Sequence, residues 1–157
     1  MSFGDVLASI QSSSLSHAIA ESNHMLVAGL QIVHVFGFIF LLAPLILIAL
    51  RVLGLVLRDQ PLESLVNQSK KLSLAGLVLS LASGVLMFLS APMHYYANWA
   101  FDTKMLLLVA ALAIYGLLFL WVAPRGSAHP SMAKLNVSLS LILWIAVCMA
   151  GRAIGFV

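Results

Sequence analysis

Four long apolar stretches constrain this chain more than any other feature of its sequence. They cover about residues 25–50, 72–91, 105–123 and 135–151, and the first contains no formal charge. Each is close to the roughly 20 apolar residues that a helix needs to cross a bilayer. Because backbone polar groups in lipid must be hydrogen-bonded within the chain, each stretch is predicted to be a helix. The sequence therefore predicts an all-α, four-helix transmembrane bundle over residues 23–157.

Composition excludes several classes of function. Hydrophobic residues make up 62% of the chain and charged residues 8%, against about 25% charged in a soluble domain. The basic residues form no patch with interleaved aromatics, so nucleic acid is not an expected partner. No nucleophile–base pair is evident, so an enzyme acting alone on a soluble substrate is not expected. Cys148 is the single cysteine, and its apolar neighbours predict a buried, inert thiol.

The distribution of Lys and Arg predicts an orientation. The first and third connections contain six of the eight basic residues, whereas the remaining two, Lys104 and Arg152, lie near the opposite ends of the spans. Connections rich in Lys and Arg face the cytoplasm. Both termini are therefore predicted to be periplasmic or extracellular. The six residues are Arg51, Arg58, Lys70, Lys71, Arg125 and Lys134.

The N-terminal segment 1–22 contains no Lys or Arg and no compact apolar run, so it is not predicted to be a cleavable signal. Phe3, Val6, Leu7 and Ile10 recur at helical spacing. This pattern predicts either a short interfacial helix on the outer leaflet or a disordered arm.

Small residues predict a close helix–helix contact in the second span. Gly76, Ser80 and Gly84 recur every four residues. Small side chains at this spacing allow two helix backbones to approach closely in a membrane. Packing is the favoured interpretation of this pattern.

Polar residues in the first span are the leading functional candidates, because ionisable groups are costly in a bilayer. His17, His24 and Gln31 recur every seven residues, and His34 lies about ten residues inside the uncharged stretch. Folding the first hairpin near Gln60 pairs residue i with about 120 − i on the next span. This places His24 level with His94, and His34 level with Leu86 and Met87.

Two sites follow from this depth argument. An outer site would contain His24, Met25, Met93 and His94, with Arg152 nearby. Thioether and imidazole ligands suit Cu(I), and two facing imidazoles suit a b-type haem, for whose propionates Arg152 would supply a cation. A deeper site would contain His34 and Gln31 with Met87, Met105 or Met149.

Several runs resemble a known family of proteins. They are His34-Val-Phe-Gly37, Leu50-Arg51-Val-Leu-Gly54, Gly84-Val-Leu-Met-Phe88 and the closing Ala150-Gly-Arg152. From about Glu21 onward the chain resembles a family of small bacterial four-helix membrane proteins, which is loosely similar to the copper-resistance D proteins and to small b-type cytochromes. The resemblance implies a bacterial inner membrane. It points to His34, Arg51, Lys104 and Arg152.

The chain also departs from that family's pattern. It has Ala49 where an acidic residue is typical, and Phe119 and Leu120 where a histidine is typical. A site that depends on those groups would be altered or lost here.

The sequence supports three competing hypotheses. The first is a haem-b-binding electron-transfer subunit that uses His34, His24 or His94, with Gln31 and Arg152 close by and a quinone or membrane redox protein as partner. The second is a Cu(I)-handling membrane protein that uses the same histidines with Met25 and Met93. The third is an accessory subunit without a cofactor, in a homo-oligomer or a larger membrane complex.

Overall fold

The computed structural model of the chain describes residues 3–14, 16, 24–122, 124 and 129–156, with backbone alone at positions 3, 24 and 26. Within these ranges the chain is helical and contains no strand. A π-helical turn, Leu118–Val122, follows the helix that ends at Leu117, and a 3-10 turn, Ile154–Phe156, follows the helix that ends at Ala153. The helices are α1 (Phe3–Gln11), α2 (His24–Val52), α3 (Leu62–Ser90), α4 (Pro92–Tyr96), α5 (Trp99–Leu117) and α6 (Pro130–Ala153).

Four helical segments are long and apolar enough to cross a membrane: Val27–Val52, Leu62–Ser90, Trp99–Val122 and Pro130–Phe156. The prediction of an all-α protein with four membrane spans is therefore confirmed. The second span, α3, begins ten residues before the predicted apolar stretch, so Lys70 and Lys71 lie on α3 rather than in the connection. A helix satisfies its own backbone hydrogen bonds in water and in lipid alike, so it does not have to end where the apolar stretch ends.

Prolines and one asparagine fix where the helices begin. Pro61 precedes α3, whereas Pro92 and Pro130 occupy the first turns of α4 and α6. Proline is suited to these positions because its missing N–H is one that a first turn leaves unpaired. Asn98 caps α5 through its Oδ1, which accepts a hydrogen bond of 3.0 Å from the Ala100 N–H.

The four spans form two hairpins, which pack against each other through one helix of each. α2 packs along α3, α5 packs along α6, and α2 and α6 join the two hairpins. We call the end of the bundle at residues 53–61 the inner end and the end at α4 the outer end. The apolar core lies mainly toward the inner end, and its buried residues include Leu41, Leu45, Ile48, Val66, Ala111, Leu118, Val122 and Val137.

Part of the N-terminal segment forms a helix, α1, which is one of the two alternatives that the sequence left open, and it lies at the outer end. It packs against α4 and against α3. Leu7 is buried in this contact, and the Met93 N–H donates a hydrogen bond of 3.3 Å to Gln11 Oε1. α1 thus covers part of the outer end of the bundle.

Candidate functional site

The contact between α2 and α3 is unusually close, and it fixes the geometry around His34. A Cβ built on Gly76 would lie 2.5 Å from the Leu41 N, and one built on Gly37 would lie 2.6 Å from the Ser80 N. The two backbones therefore touch at positions where only glycine fits. The prediction that small residues of the second span allow close helix packing is confirmed at Gly76 and Ser80.

His34 lies about one turn outward from Gly37 and points its ring at α3. Its Nδ1 lies 3.1 Å from Ser83 Oγ. The Ser83 hydroxyl is already within 2.7 Å of the Leu79 carbonyl of its own helix, to which it donates. A serine has one hydroxyl hydrogen, so Ser83 acts as the acceptor toward His34, and the histidine Nδ1 carries the donated hydrogen.

This assignment determines the chemistry that His34 offers. In a neutral imidazole one ring nitrogen is a donor and the other an acceptor. With the hydrogen on Nδ1, the lone pair is on Nε2. On this assignment the Nδ1 side of the ring is held by Ser83, and Nε2 is the nitrogen with which His34 could bind a ligand or a proton.

Gly84 makes room for the ring. A Cβ built on Gly84 would lie 3.2 Å from His34 Cε1, which is closer than an ordinary van der Waals contact. Gly84, the third small residue of the pattern that includes Gly76 and Ser80, therefore leaves space for the His34 ring and does not take part in the backbone contact.

Lys104 brings a positive charge to the same level from α5. Its side chain lies along α6, where a Cβ built on Gly151 would be 3.4 Å from the Lys104 Nζ and 3.5 Å from its Cε. Lys104 is near enough to His34 and to Cys148 for its charge to affect both side chains. Among the residues that the structure describes, no carboxylate pairs with this ammonium, although it is only partly exposed. All four spans therefore contribute to one polar site near the outer end.

Cys148 is exposed on α6. The prediction of a buried thiol was wrong, because the apolar neighbours of Cys148 belong to a helix with one face toward lipid rather than to a closed core. Lipid-facing positions such as Ile145 and Met149 are likewise exposed.

Comparison with known proteins assigns the chain to a family. A family profile matches residues 11–157. The chain belongs to the DUF6644 family. This is a family of unknown function, so membership brings no activity with it. No curated protein and no solved structure matches the chain. The likeness to copper-resistance D proteins and b-type cytochromes stays a prediction.

The residues predicted for the outer site lie apart from His34 in this DUF6644 chain. Met93 and His94 are exposed on α4, where the His94 ring contacts Tyr95 at 5.6 Å between centroids. Met25 is 76% exposed. The side chain of His24 lies outside the described residues, as do His17 and Glu21.

The residues predicted for the deeper site are only partly brought together. Gln31, Met105 and Met149 are exposed, and Met87 is half-buried. Arg152 is exposed as well, with its guanidinium 5.7 Å from the centroid of the Phe156 ring. Within the described part of the chain, no three His, Cys, Asp or Glu side chains form a group that could hold a metal ion.

The sequence did not identify Ser83 or Lys104 as the partners of His34. Ser83 belongs to the small-residue face of the second span, one residue before Gly84. From sequence, Lys104 is only a basic residue near the outer ends of the spans and a member of the family pattern. The signal for Lys104 is its position five residues after Trp99, the residue at which the span begins. The small residue Gly151 on the next helix leaves space for its side chain.

Proposed function

We propose that this protein is a small membrane redox subunit that binds haem b in the outer half of the bundle, with His34 as an axial ligand. The observation that carries the proposal is the contact of 3.1 Å between His34 Nδ1 and Ser83 Oγ. Because the Ser83 hydroxyl donates to the Leu79 carbonyl, we assign the hydrogen to Nδ1 and the lone pair to Nε2. Histidines that bind a metal ion almost always donate the other ring N–H to an acceptor in the protein, which fixes the tautomer and the ring orientation. Imidazole is an axial ligand of iron in many haem proteins.

Lys104 supports the same proposal through its charge. A cation inside a membrane span is costly unless an anion or other polar group neutralises it. Lys104 lies at the level of His34 and has no carboxylate partner among the described residues. The propionates of a haem would supply that partner. In this proposal Lys104 takes the part that the sequence assigned to Arg152.

The proposal concentrates on His34 because of the distances along α2. His24 and His34 are ten residues apart on one helix, which is about 15 Å along its axis. Both protein ligands of one iron would have to lie close to it, so these two histidines would not hold the same haem. The predicted pair of His24 and His94 is therefore a competing site, which single substitutions distinguish from His34.

The experiment is a titration of haem-free protein with haemin in detergent micelles, followed by the Soret band. We expect saturable binding near one haem per chain for the wild type and a loss of at least tenfold in affinity for His34→Ala. His129→Ala is the matched control, because His129 lies at the inner end against Trp121. Loss of binding in His94→Ala with full binding in His34→Ala would move the site to the outer pair, and no saturable binding by the wild type would refute the proposal.

The role of Lys104 is tested by two substitutions. Lys104→Met keeps the length and apolar stem of the side chain but removes its charge, whereas Lys104→Arg keeps the charge. We expect weaker haem binding in the first variant and near wild-type binding in the second. Equal binding in both would remove Lys104 from the site.

Cu(I) handling is the second candidate, and it rests on a different observation. Met93 and His94 are adjacent and both exposed on α4, so a soft thioether and an imidazole are accessible at the outer end. Competition with a chromogenic Cu(I) chelator tests it. Binding that disappears in the variant with both Met93→Leu and His94→Ala, and persists in His34→Ala, would support copper at α4. Unchanged binding in the double variant would refute it.

A further inference from the structure

A group of buried polar side chains lies toward the inner end, away from His34. We call Ser73, Tyr115, Asn136, Ser140 and Trp144 the mid-bundle polar cluster. They come from α3, α5 and α6. Four of them are buried, with Ser140 fully inaccessible and Tyr115 at 5% exposure. The positions around them are occupied by the apolar core, so the polar groups are an exception that requires an explanation.

Each member of the cluster has a polar atom without a hydrogen-bond partner. These atoms are Ser73 Oγ, Tyr115 OH, Asn136 Oδ1, Ser140 Oγ and Trp144 Nε1, considered within the described part of the chain. Buried polar groups in proteins are nearly always hydrogen-bonded. In a membrane protein the surrounding lipid cannot supply the missing bonds. Five unpartnered atoms in one region therefore indicate a polar partner inside the bundle.

The contacts between these residues connect them into one cluster. The Tyr115 hydroxyl lies close enough to Ser73 to interact, yet the two form no hydrogen bond of ordinary geometry. The rings of Tyr115 and Trp144 meet at 6.1 Å between centroids. Ser140 is one helical turn from both Asn136 and Trp144 on α6. Asn136 Nδ2 donates to the carbonyl of Ile114, the residue before Tyr115.

The chemistry of the five atoms identifies the partner. Trp144 Nε1 can only donate, Asn136 Oδ1 can only accept, and the three hydroxyls can do either. A water molecule both donates and accepts, and buried waters typically make about three hydrogen bonds to such groups. We propose that the mid-bundle polar cluster is a binding site for internal water, shared between α3, α5 and α6. This site is independent of any haem at His34.

The direct test is X-ray radiolytic labelling of the protein in detergent, read by mass spectrometry. Radiolysis of water forms hydroxyl radicals where the water is, so aromatic side chains beside bound water are modified even when they are buried. We expect modification of Tyr115 and Trp144 at rates, corrected for intrinsic reactivity, well above that of Phe88, a half-buried aromatic that contacts Phe101 and Tyr95 rather than the cluster. Corrected rates no higher than that of Phe88 would overturn the proposal.

A second measurement separates bound water from a dry cluster. If water bridges the hydroxyls, Tyr115→Phe and Ser140→Ala each remove a bond to it and lower the unfolding temperature. The double variant then loses less than the two single losses combined, because both hydroxyls share the same water. If the cluster is dry, deleting an unsatisfied hydroxyl raises the unfolding temperature instead. Ser131→Ala, at an exposed position on α6, is the matched control.

Discussion

The closest contact in the bundle gives the sharpest prediction. In Gly76→Ala, the new methyl group would meet the Leu41 N at 2.5 Å and the Gly37 O at 2.6 Å, whereas ordinary contact begins at 3.4 Å. Both neighbours are backbone atoms, so α2 and α3 must separate by about 0.9 Å at this level (3.4 less 2.5). Overpacking of this kind costs about 1–3 kcal/mol. The gain in helix propensity from Gly to Ala, about 1 kcal/mol, offsets only part of that cost.

The same displacement reaches the functional site. If the helices move apart as rigid bodies, the distance between His34 Nδ1 and Ser83 Oγ grows from 3.1 Å to about 4 Å, beyond hydrogen-bond range. We therefore expect Gly76→Ala to lower both the free energy of unfolding and the affinity of the His34 site for haem.

Thermal unfolding in detergent, followed by circular dichroism, measures the first effect. Gly29→Ala is the matched control, because it lies on α2 and a Cβ there meets nothing within 4 Å. We expect Gly29→Ala to be neutral or slightly stabilising, and Gly76→Ala to be less stable than it by about 1–3 kcal/mol, because the gain in helix propensity is common to both variants and only the overpacking differs. Equal stability of the two variants would refute the close contact between α2 and α3.

Three further predictions concern the outer end and the orientation. Asn98→Ala removes the cap on α5 and the hydrogen bond from Asn98 Nδ2 to the Ile154 carbonyl. We therefore expect the free energy of unfolding to fall by about 2 kcal/mol. The control Asn67→Ala, at an exposed position, should change it very little. Burial raises the pKa of Tyr95 above 10.0. The contribution of Tyr95 to stability is therefore present below pH 10 and is lost as the pH rises through the folded-state pKa. The difference in tyrosinate absorbance between the wild type and Tyr95→Phe measures this pKa, and a transition at or below pH 10 would contradict the burial. Alkaline phosphatase fused after Val157 should be active, whereas the same enzyme inserted between residues 53 and 61 should be inactive. The reason is that the basic connections are predicted to be cytoplasmic. The reverse pattern would show that the orientation is the opposite of the predicted one.

The fold was predictable from sequence because length and apolarity alone determine a membrane span. Each of the four apolar stretches became a helix, and no soluble domain competed for the same residues. Helix ends were less predictable, since α3 extends well past its apolar segment.

The partner of His34 was predictable only to within one helical turn. Folding the hairpin at Gln60 gave Leu86 and Met87, whereas the structure pairs His34 with Ser83. The two numbers sum to 117 rather than about 120, which corresponds to a turn centred near residue 58. The connection between Val52 and Leu62 is irregular, with Gly54 and Leu57 at positive φ, so its centre is not set by a single residue type.

Depth alone does not determine which basic residue supplies the cation of the site. The sequence predicts Lys104 and Arg152 at the same end of their spans, and the structure packs the Lys104 side chain against Gly151, the neighbour of Arg152. Which of them faces the bundle depends on rotation about the helix axis, about 100° per residue. On α6 that rotation turns Gly151 toward Lys104 and leaves Arg152 exposed, a difference of one position that the hydrophobic pattern does not resolve.

The most direct test of the proposed function is the reduced-minus-oxidised absorption spectrum of protein purified from membranes of haem-sufficient cells. A haem b held by His34 predicts a Soret band and an α band in the wild type, both lost in His34→Ala and both retained in His129→Ala. A wild-type spectrum without these bands, from protein that is folded and was expressed with haem supplied, would contradict the proposal that this bundle carries a redox centre.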